Sequence, residues 1–167
     1  MRGSVKDESF ARNFVPAAQS FQTIERYGFN MKLIIGGVAQ GKLEVAKRCV
    51  KRTNSELDTQ NISKMVVIVD ENYNSIEELY MATIINHFHL IVKRLLQEKQ
   101  VPEWILEEII AKNPNVCIVS TEIGYGIVPM DSFEREYRER TGRICCKIAT
   151  KADEVYRVLC GIETRIK

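Results

Sequence analysis

Residues 36–43 carry side chains and spacing that bind phosphate groups. Their sequence, G-G-V-A-Q-G-K-L, matches the pattern G-x-x-x-x-G-K and lies between an apolar run and a stretch of helix formers. Glycines let successive backbone N–H groups point into one concavity, a helix N-terminus adds its positive end, and the lysine brings a point charge. A plain glycine turn between strand and helix is the alternative. The predicted phosphate-binding residues are Gly36, Gly37, Val38, Ala39, Gln40, Gly41, Lys42 and Leu43.

The loop lacks one residue that usually assists a metal ion. Leu43 stands where a serine or threonine would place its hydroxyl on Mg²⁺, and a leucine side chain cannot ligate a metal. Asp70 ends an apolar run and has the placement of an aspartate that holds Mg²⁺ through water. Asp70 is therefore the candidate metal ligand. A turn residue at a strand end explains it about as well.

A second polar segment, residues 121–129, follows another apolar run. Glu122 comes directly after this run, and two glycines and a proline then shape a loop. A carboxylate in this position can act as a base or as a partner of a metal ion. Glu122 is therefore a candidate catalytic residue, as is Lys42 in the first loop. An exposed turn carboxylate is the alternative for Glu122.

The apolar patterns around these residues predict the elements that position them. Ser75 and Glu78 indicate a capping box, and apolar side chains at helical spacing then predict one long helix. The β-branched run at residues 65–70 predicts a strand buried on both faces. In chain order, the predicted elements are a strand at 33–35, a helix at 42–52, a strand at 65–70, a helix at 75–99, a helix from Pro102 to Asn113, a strand at 116–120, a helix from Asp131, a strand at 155–159 and an edge strand at 164–166.

Strands that alternate with helices indicate an α/β fold with a mainly parallel sheet. Ligands of such sheets bind beyond the carboxyl ends of the strands. We therefore expect the loops at Gly36, Asp70 and Thr121 to converge at one edge of the sheet.

Composition narrows the class of protein. The chain has 167 residues, 45% of them hydrophobic and 28% charged, which predicts a folded globule. The formal net charge is +2 and the charges are interspersed, so we expect no nucleic-acid partner. No apolar run approaches the roughly 18 residues of a membrane helix. The five cysteines form no C-x-x-C pair, which disfavours a disulfide framework or a zinc site and favours the cytoplasm.

The first 30 residues differ from the rest. They show mixed polarity, scattered aromatic side chains and no sustained period, and they lack the hydrophobic centre of a secretory signal. We interpret residues 1–30 as an appendage of unknown role and residues 31–167 as one α/β domain. Two interpretations of the appendage stay open. It is either a tail that docks on the domain or sequence upstream of the true start.

The tail from Ile118 to Lys167 carries a set of distinctive short motifs. They are Glu122-Ile123-Gly124, Gly126-Ile127-Val128-Pro129, Gly142-Arg143, Ala152-Asp153-Glu154-Val155, Gly161 and Ile166-Lys167. With these motifs the tail closely resembles a known family, the bifunctional adenosylcobinamide kinase and adenosylcobinamide-phosphate guanylyltransferases of cobalamin biosynthesis. The loop at residues 36–43 is also in the form of that family, and residues 66–70 resemble its second nucleotide-binding strand more loosely.

The resemblance implies a P-loop fold with a RecA-like sheet, assembled into homotrimers. It implies phosphorylation of the aminopropanol hydroxyl of adenosylcobinamide with ATP or GTP, followed by transfer of GMP through a guanylylated histidine. Carried over, Gly41 and Lys42 would hold nucleotide phosphates, Asp70 would serve Mg²⁺, and Glu122 would line the same site. The implied cofactors are Mg²⁺ with GTP or ATP, and the implied partners are a nucleotide and adenosylcobinamide.

The chain departs from the family pattern at several points. Gln40 and Leu43 replace serines of the loop, and the stretch between Lys42 and Asp70 is too short for the segment that bears the guanylylated histidine. Guanylyl transfer is therefore doubtful, because no covalent intermediate forms without a nucleophile. A degenerate homologue that binds nucleotide or assists assembly without catalysis is the alternative function.

Two further groups of side chains have plain interpretations. His87 and His89 fall inside the predicted long helix, where packing or surface roles are expected. Cys145 and Cys146 replace an Asn-Gln pair of the family. Neighbouring side chains on a helix point about 100° apart, so the two cysteines cannot form a tetrahedral metal site together, and we expect both to pack.

Overall fold

A computed structural model describes residues 30–53 and 66–167 of the chain. Within these residues, strands alternate with helices as the sequence predicts. The elements are β1 (Lys32–Gly36), α1 (Lys42–Thr53), β2 (Ile68–Val69), α2 (Ile76–Met81), β3 (Ile84–Ile85), α3 (Phe88–Gln97), α4 (Pro102–Lys112), β4 (Cys117–Val119), α5 (Ser132–Lys151), β5 (Glu154–Leu159) and β6 (Ile162–Arg165). The predicted appendage lies almost wholly outside the described residues.

The strands of the described ranges form one sheet in the order β2-β3-β4-β1-β5-β6. All neighbouring pairs are parallel except β5 and β6, which pair antiparallel at one edge. In register, Leu33 of β1 lies between Ile118 of β4 and Val155 of β5. The mainly parallel α/β fold is therefore confirmed, and the carboxyl ends of five strands meet at one edge.

The sheet separates two hydrophobic cores, because successive side chains of a strand point to opposite faces. Leu33 of β1 belongs to the larger core, which packs under α3, α4 and α5. Its neighbour Ile34 belongs to the smaller core, which packs under α1. Both side chains are fully or almost fully buried. Such burial on both faces holds β1 rigidly, and the loop that follows β1 inherits this rigidity.

Two helix starts follow the predicted chemistry. Pro102 begins α4 at a position where its missing N–H would have no helical partner. Asp131 caps α5, since its side chain accepts a hydrogen bond of 2.9 Å from the Glu134 N–H. The capping box at Ser75 does not form. Ser75 makes no side-chain cap, and the Glu78 carboxylate instead accepts a hydrogen bond from the Asn74 N–H.

The single long helix predicted over residues 75–99 is wrong. The chain leaves α2 at Ala82, forms the short strand β3, and starts α3 at Phe88. Both residues of β3 are fully buried, and β3 pairs with β2 on one side and β4 on the other. A short apolar run has no period that distinguishes a helix from a buried strand. The sheet decides this segment, because it supplies hydrogen bonds from both neighbours.

The strand predicted at residues 65–70 is shorter and more exposed than expected. Only Ile68 and Val69 pair in the sheet, and Met65 lies outside the described residues. Because β2 is the edge strand, Ile68 keeps 41% of its surface exposed, and the expectation of burial on both faces is wrong.

Among the described residues, no helix is long and apolar enough to cross a membrane.

Candidate functional site

The loop after β1 contains two residues with a left-handed backbone. Ala39 and Gly41 adopt positive φ angles of 56° and 79°. The Gly41 carbonyl accepts a hydrogen bond of 3.2 Å from the Val45 N–H, which starts α1 directly behind the loop. The loop therefore lies at the N-terminus of a helix of 12 residues, whose unpaired N–H groups favour anions.

Lys42 bridges the opening of this loop. Its Nζ donates a hydrogen bond of 2.6 Å to the Gly37 carbonyl, and the residue is 8% exposed. Burial lowers the pKa of Lys42, while the nearby Glu122 carboxylate acts in the opposite direction. The ammonium group thus lies over the concavity where the pattern of the sequence predicts phosphate.

The turn between β5 and β6 braces the loop from the other side. The Gly161 N–H donates a hydrogen bond of 3.0 Å to the Gln40 carbonyl, and the Cys160 N–H donates to the Gln40 side chain. Gln40, which replaces a serine of the family pattern, therefore connects the loop to the carboxyl-terminal motif that contains Gly161. The two ends of the domain meet at this point.

Glu122 lies beside the loop, at the carboxyl end of β4. Its N–H donates a hydrogen bond of 3.1 Å to the Gly36 carbonyl, and its carboxylate pairs with Arg157 of β5 at 3.1 Å. Arg157 also reaches the Tyr125 hydroxyl at 3.3 Å. Glu122, Tyr125 and Arg157 line a cavity of about 220 Å³ together with Gly37 and other residues. Lys42 does not line this cavity, but it lies close enough to Glu122 for the two charges to interact.

Arginines of α5 hold the segment after Glu122. Arg138 donates hydrogen bonds to the Ile123 and Ile127 carbonyls at 2.9 and 2.6 Å, and Arg135 donates to the Pro129 carbonyl at 3.0 Å. Ile127 is 95% exposed. The backbone of this loop is therefore fixed while its apolar side chains point into solvent.

A second cavity, of about 170 Å³, lies against the loop and was not predicted. Its walls are residues of the loop together with Asn86 and His87, which follow β3. The His87 Nδ1 lies 3.0 Å from the Glu71 carboxylate. Sequence reasoning missed these residues because it placed them inside a helix. The pair Ile84-Ile85 followed by two polar residues was the available signal, since it has the pattern of a buried strand that ends at a site.

Asp70 lies at the same edge of the sheet but ends β2, which β3 and β4 separate from β1. At about 4.8 Å between neighbouring strands, this places the ends of β2 and β1 roughly 14 Å apart. The Asp70 carboxylate accepts a hydrogen bond of 2.9 Å from the Asn72 N–H, and Asp70 lines neither of the two cavities described above. Asp70 therefore lies apart from both cavities, and its role as a metal ligand stays a prediction.

The described residues offer no protein cage for a metal ion, since no group of three or more His, Cys, Asp or Glu side chains is placed to hold one. Leu43 lines the second cavity where a hydroxyl would be needed. Mg²⁺ at nucleotide sites keeps several waters and binds phosphate oxygens. Mg²⁺ at this loop would therefore be held mainly by phosphate oxygens and water, and Glu122, which lines the first cavity, is the carboxylate beside the loop.

Cys145 and Cys146 differ in environment. The Cys145 Sγ lies 3.6 Å from the Ser120 hydroxyl and is partly buried, as expected for packing. Cys146 is exposed, so the expectation that it packs is wrong. A helix of 20 residues presents neighbouring side chains to different surroundings, and here only one of the two faces the sheet.

Residues 54–166 match the family described as cobinamide kinase / cobinamide phosphate guanyltransferase. The chain belongs to this family. Two curated relatives are each named "Bifunctional adenosylcobalamin biosynthesis protein CobU". The one from Salmonella typhimurium (strain LT2) is 42% identical and the one from Escherichia coli (strain K12) is 40% identical, each over 52 residues. These 52 residues are 31% of this chain and 29% of the relatives' length.

Membership of the cobinamide kinase family confirms the resemblance that the carboxyl-terminal motifs indicate, and the parallel sheet with flanking helices agrees with it. The loop at residues 36–43 lies outside the matched range of 54–166. Its interpretation as a phosphate-binding loop therefore rests on its pattern and its backbone geometry.

Proposed function

We propose that this protein binds a nucleoside triphosphate, GTP or ATP, at residues 36–43 and transfers its terminal phosphate to a hydroxyl of adenosylcobinamide. The observation that carries the proposal is the loop between β1 and α1, with Lys42 across its opening. Membership of the cobinamide kinase family supports the acceptor, and the described residues place Glu122 beside the loop.

In this proposal, the N–H groups of the loop and the N-terminus of α1 hold the phosphates. Lys42 leaves the Gly37 carbonyl and places its charge on the outer phosphates. Glu122 balances the charges of Lys42 and Arg157 before the nucleotide arrives, and the phosphates then take over as the partner of both cations. Mg²⁺, carried by phosphate oxygens and water, would neutralise charge on the transferred group.

The test is a binding titration with GTP and ATP, with and without Mg²⁺, followed by transfer of label from the terminal phosphate to adenosylcobinamide. Lys42→Ala removes charge-assisted contacts worth about 1.5–3 kcal/mol each, which corresponds to roughly 10- to 100-fold weaker nucleotide binding. Lys47→Ala is the matched control, because Lys47 lies on the same helix, is partly exposed and forms a local ion pair with Glu44. If the wild-type protein neither binds nucleotide nor transfers phosphate, the proposal is refuted.

Guanylyl transfer is a separate question for the same protein. We expect no covalent GMP adduct, because the family segment with the guanylylated histidine is missing from the stretch before Asp70. Incubation with GTP labelled at the α-phosphate, followed by denaturing electrophoresis, tests this. A stable labelled protein band would contradict the expectation and would extend the proposed function to both activities.

A second candidate function is nucleotide binding without turnover, and Leu43 favours it. This residue lines the second cavity at the position where a hydroxyl would contact Mg²⁺. Leu43→Thr restores that hydroxyl. If transfer appears only in this variant, the natural protein is a binding or assembly protein. Turnover in the wild-type protein that Lys42→Ala abolishes would instead exclude this second function.

Three further expectations from the sequence stay predictions. A homo-oligomer, with three copies as in the family, is testable by light scattering on a size-exclusion column. Residues 31–167 as a single domain are testable by limited proteolysis followed by mass spectrometry of the stable core. Fractionation of cells tests the cytoplasmic location.

A further inference from the structure

His87 occupies a position beside the loop that the proposed function does not use. It follows the buried strand β3 and lines the same cavity as Lys42 and Gly41. The backbone there is tightly held: the Asn86 N–H donates to the Val69 carbonyl at 2.7 Å, and the His87 carbonyl accepts from the Leu90 N–H at 2.7 Å. A ligand bound in the loop would therefore have His87 at the wall of its cavity.

The backbone of His87 is in the left-handed region, with φ 50° and ψ 38°. Residues other than glycine rarely adopt this conformation, and they retain it where the surroundings fix it. Here the N–H of Asn86 is bound to β2 on one side, and α3 begins on the other. The direction of the Cα–Cβ bond of His87 thus follows from the sheet and from the helix.

Glu71 fixes the ring. The His87 Nδ1 lies 3.0 Å from the Glu71 Oε2, and Arg94 of α3 donates to the Glu71 carbonyl at 3.0 Å, which holds the turn after β2. An ionised carboxylate only accepts hydrogen bonds, so a neutral His87 ring carries its proton on Nδ1. Its Nε2 then keeps a lone pair.

The second histidine, His89, lies beside His87 but is buried. His89 is 9% exposed, its ring lies 6.0 Å from that of His87 in an edge-on arrangement, and its Nδ1 has no hydrogen-bond partner among the described residues. Burial, with smaller contributions from His87 and Lys42, lowers the pKa of His89 to about 4. His89 is thus a neutral, buried packing group, which agrees with the packing or surface role that the sequence predicts.

We propose that His87 is the general base of phosphoryl transfer and that Glu71 is its positioning residue. The inference rests on the proposed function. The acceptor hydroxyl gives its proton to the His87 Nε2 while its oxygen forms the new bond to the terminal phosphorus. The bond between that phosphorus and the bridging oxygen breaks, and the leaving nucleoside diphosphate takes the electron pair.

The test compares two variants that suit the left-handed backbone, His87→Asn and His87→Gly. Both should bind nucleotide within about threefold of wild type. Because a positioned base contributes 10²–10⁴-fold, kcat for transfer should fall by about that factor while KM changes little. Added imidazole should partly restore His87→Gly and should leave Lys42→Ala, a variant of the phosphate loop, unchanged. Glu71→Gln should lower kcat by about tenfold.

Slow hydrolysis of the nucleotide, in which water replaces the hydroxyl, serves as a second assay because it needs no cobinamide. If the wild-type protein hydrolyses nucleotide but does not phosphorylate adenosylcobinamide, the proposed acceptor is wrong and His87 is still tested on hydrolysis. If both reactions proceed equally in His87→Asn, or if the loss lies in binding alone, the role of base is overturned. A covalent nucleotide adduct that His87→Asn abolishes would also overturn it, because His87 would then be a nucleophile.

Discussion

Gly36, the last residue of β1, is the position where a single methyl group should disturb the site most. Its φ of 153° is rarely adopted by residues with a side chain. An added Cβ would lie 2.4 Å from the Val158 carbonyl oxygen of β5, far inside the roughly 3.5–4.0 Å at which non-bonded heavy atoms attract. Because that oxygen belongs to the backbone of the sheet, it cannot move aside as a flexible side chain would.

Both the backbone conformation and the close contact lower the stability of Gly36→Ala. Backbone strain contributes of order 1–3 kcal/mol, and overpacking in a rigid setting contributes about 1–3 kcal/mol more. We therefore expect the free energy of unfolding to fall by about 2–6 kcal/mol, against a total of roughly 5–15 kcal/mol for a typical domain. Nucleotide binding should weaken as well, because the loop starts at this residue.

Urea denaturation followed by circular dichroism measures the change. Gly37→Ala is the matched control, since a Cβ at that neighbouring position would lie 3.5 Å from the Gln40 Cγ, which is an ordinary van der Waals contact. The control should stay within about 0.5 kcal/mol of wild type. If Gly36→Ala is as stable as Gly37→Ala, β1 and β5 do not approach each other closely at Gly36, which would contradict the expected clash.

Two further predictions concern charge and thiols. Arg48 and Arg52 lower the pKa of Glu163 to about 2. The stabilisation from these two ion pairs is therefore complete above the pKa of Glu in the unfolded chain, roughly 4.3, and is lost as the pH falls toward 2. Glu163→Gln should therefore lower the urea midpoint at pH 7 and leave it unchanged near pH 2. In a thiol titration, Cys146 and Cys160 should react at once, and the other three only after unfolding, because burial raises the pKa of each. The first expectation is contradicted if Glu163→Gln lowers the urea midpoint equally at pH 7 and near pH 2. The second is contradicted if all five cysteines of the folded protein react at once.

Local chemistry made several elements predictable. The cap at Asp131 and the proline at the start of α4 act over three or four residues, so spacing along the chain is sufficient to find them. The loop from Gly36 to Lys42 is of the same kind, since its glycines and its lysine are fixed relative to one strand and one helix. The carboxyl-terminal motifs were recognisable for a similar reason, and the family match over residues 54–166 agrees.

The errors arose where a segment depends on partners far away in the chain. Ile84 and Ile85 have apolar side chains that suit a helix or a strand equally, and the backbone groups of β2 and β4 on either side make them a strand. The same error placed His87 inside a helix, so the sequence pattern did not predict that His87 lies at the second cavity.

The sequence by itself determined that the chain is an α/β protein of the cobinamide kinase family, and it predicts a phosphate-binding loop, because these features depend on periodicity and on short motifs. The tertiary structure decided which strand ends meet that loop. Strand order cannot be found from spacing along the chain, since parallel neighbours are joined by long crossovers. The order β2-β3-β4-β1 sets Asp70 apart from the loop and brings His87 to the cavity at the loop, with Glu71 holding the ring.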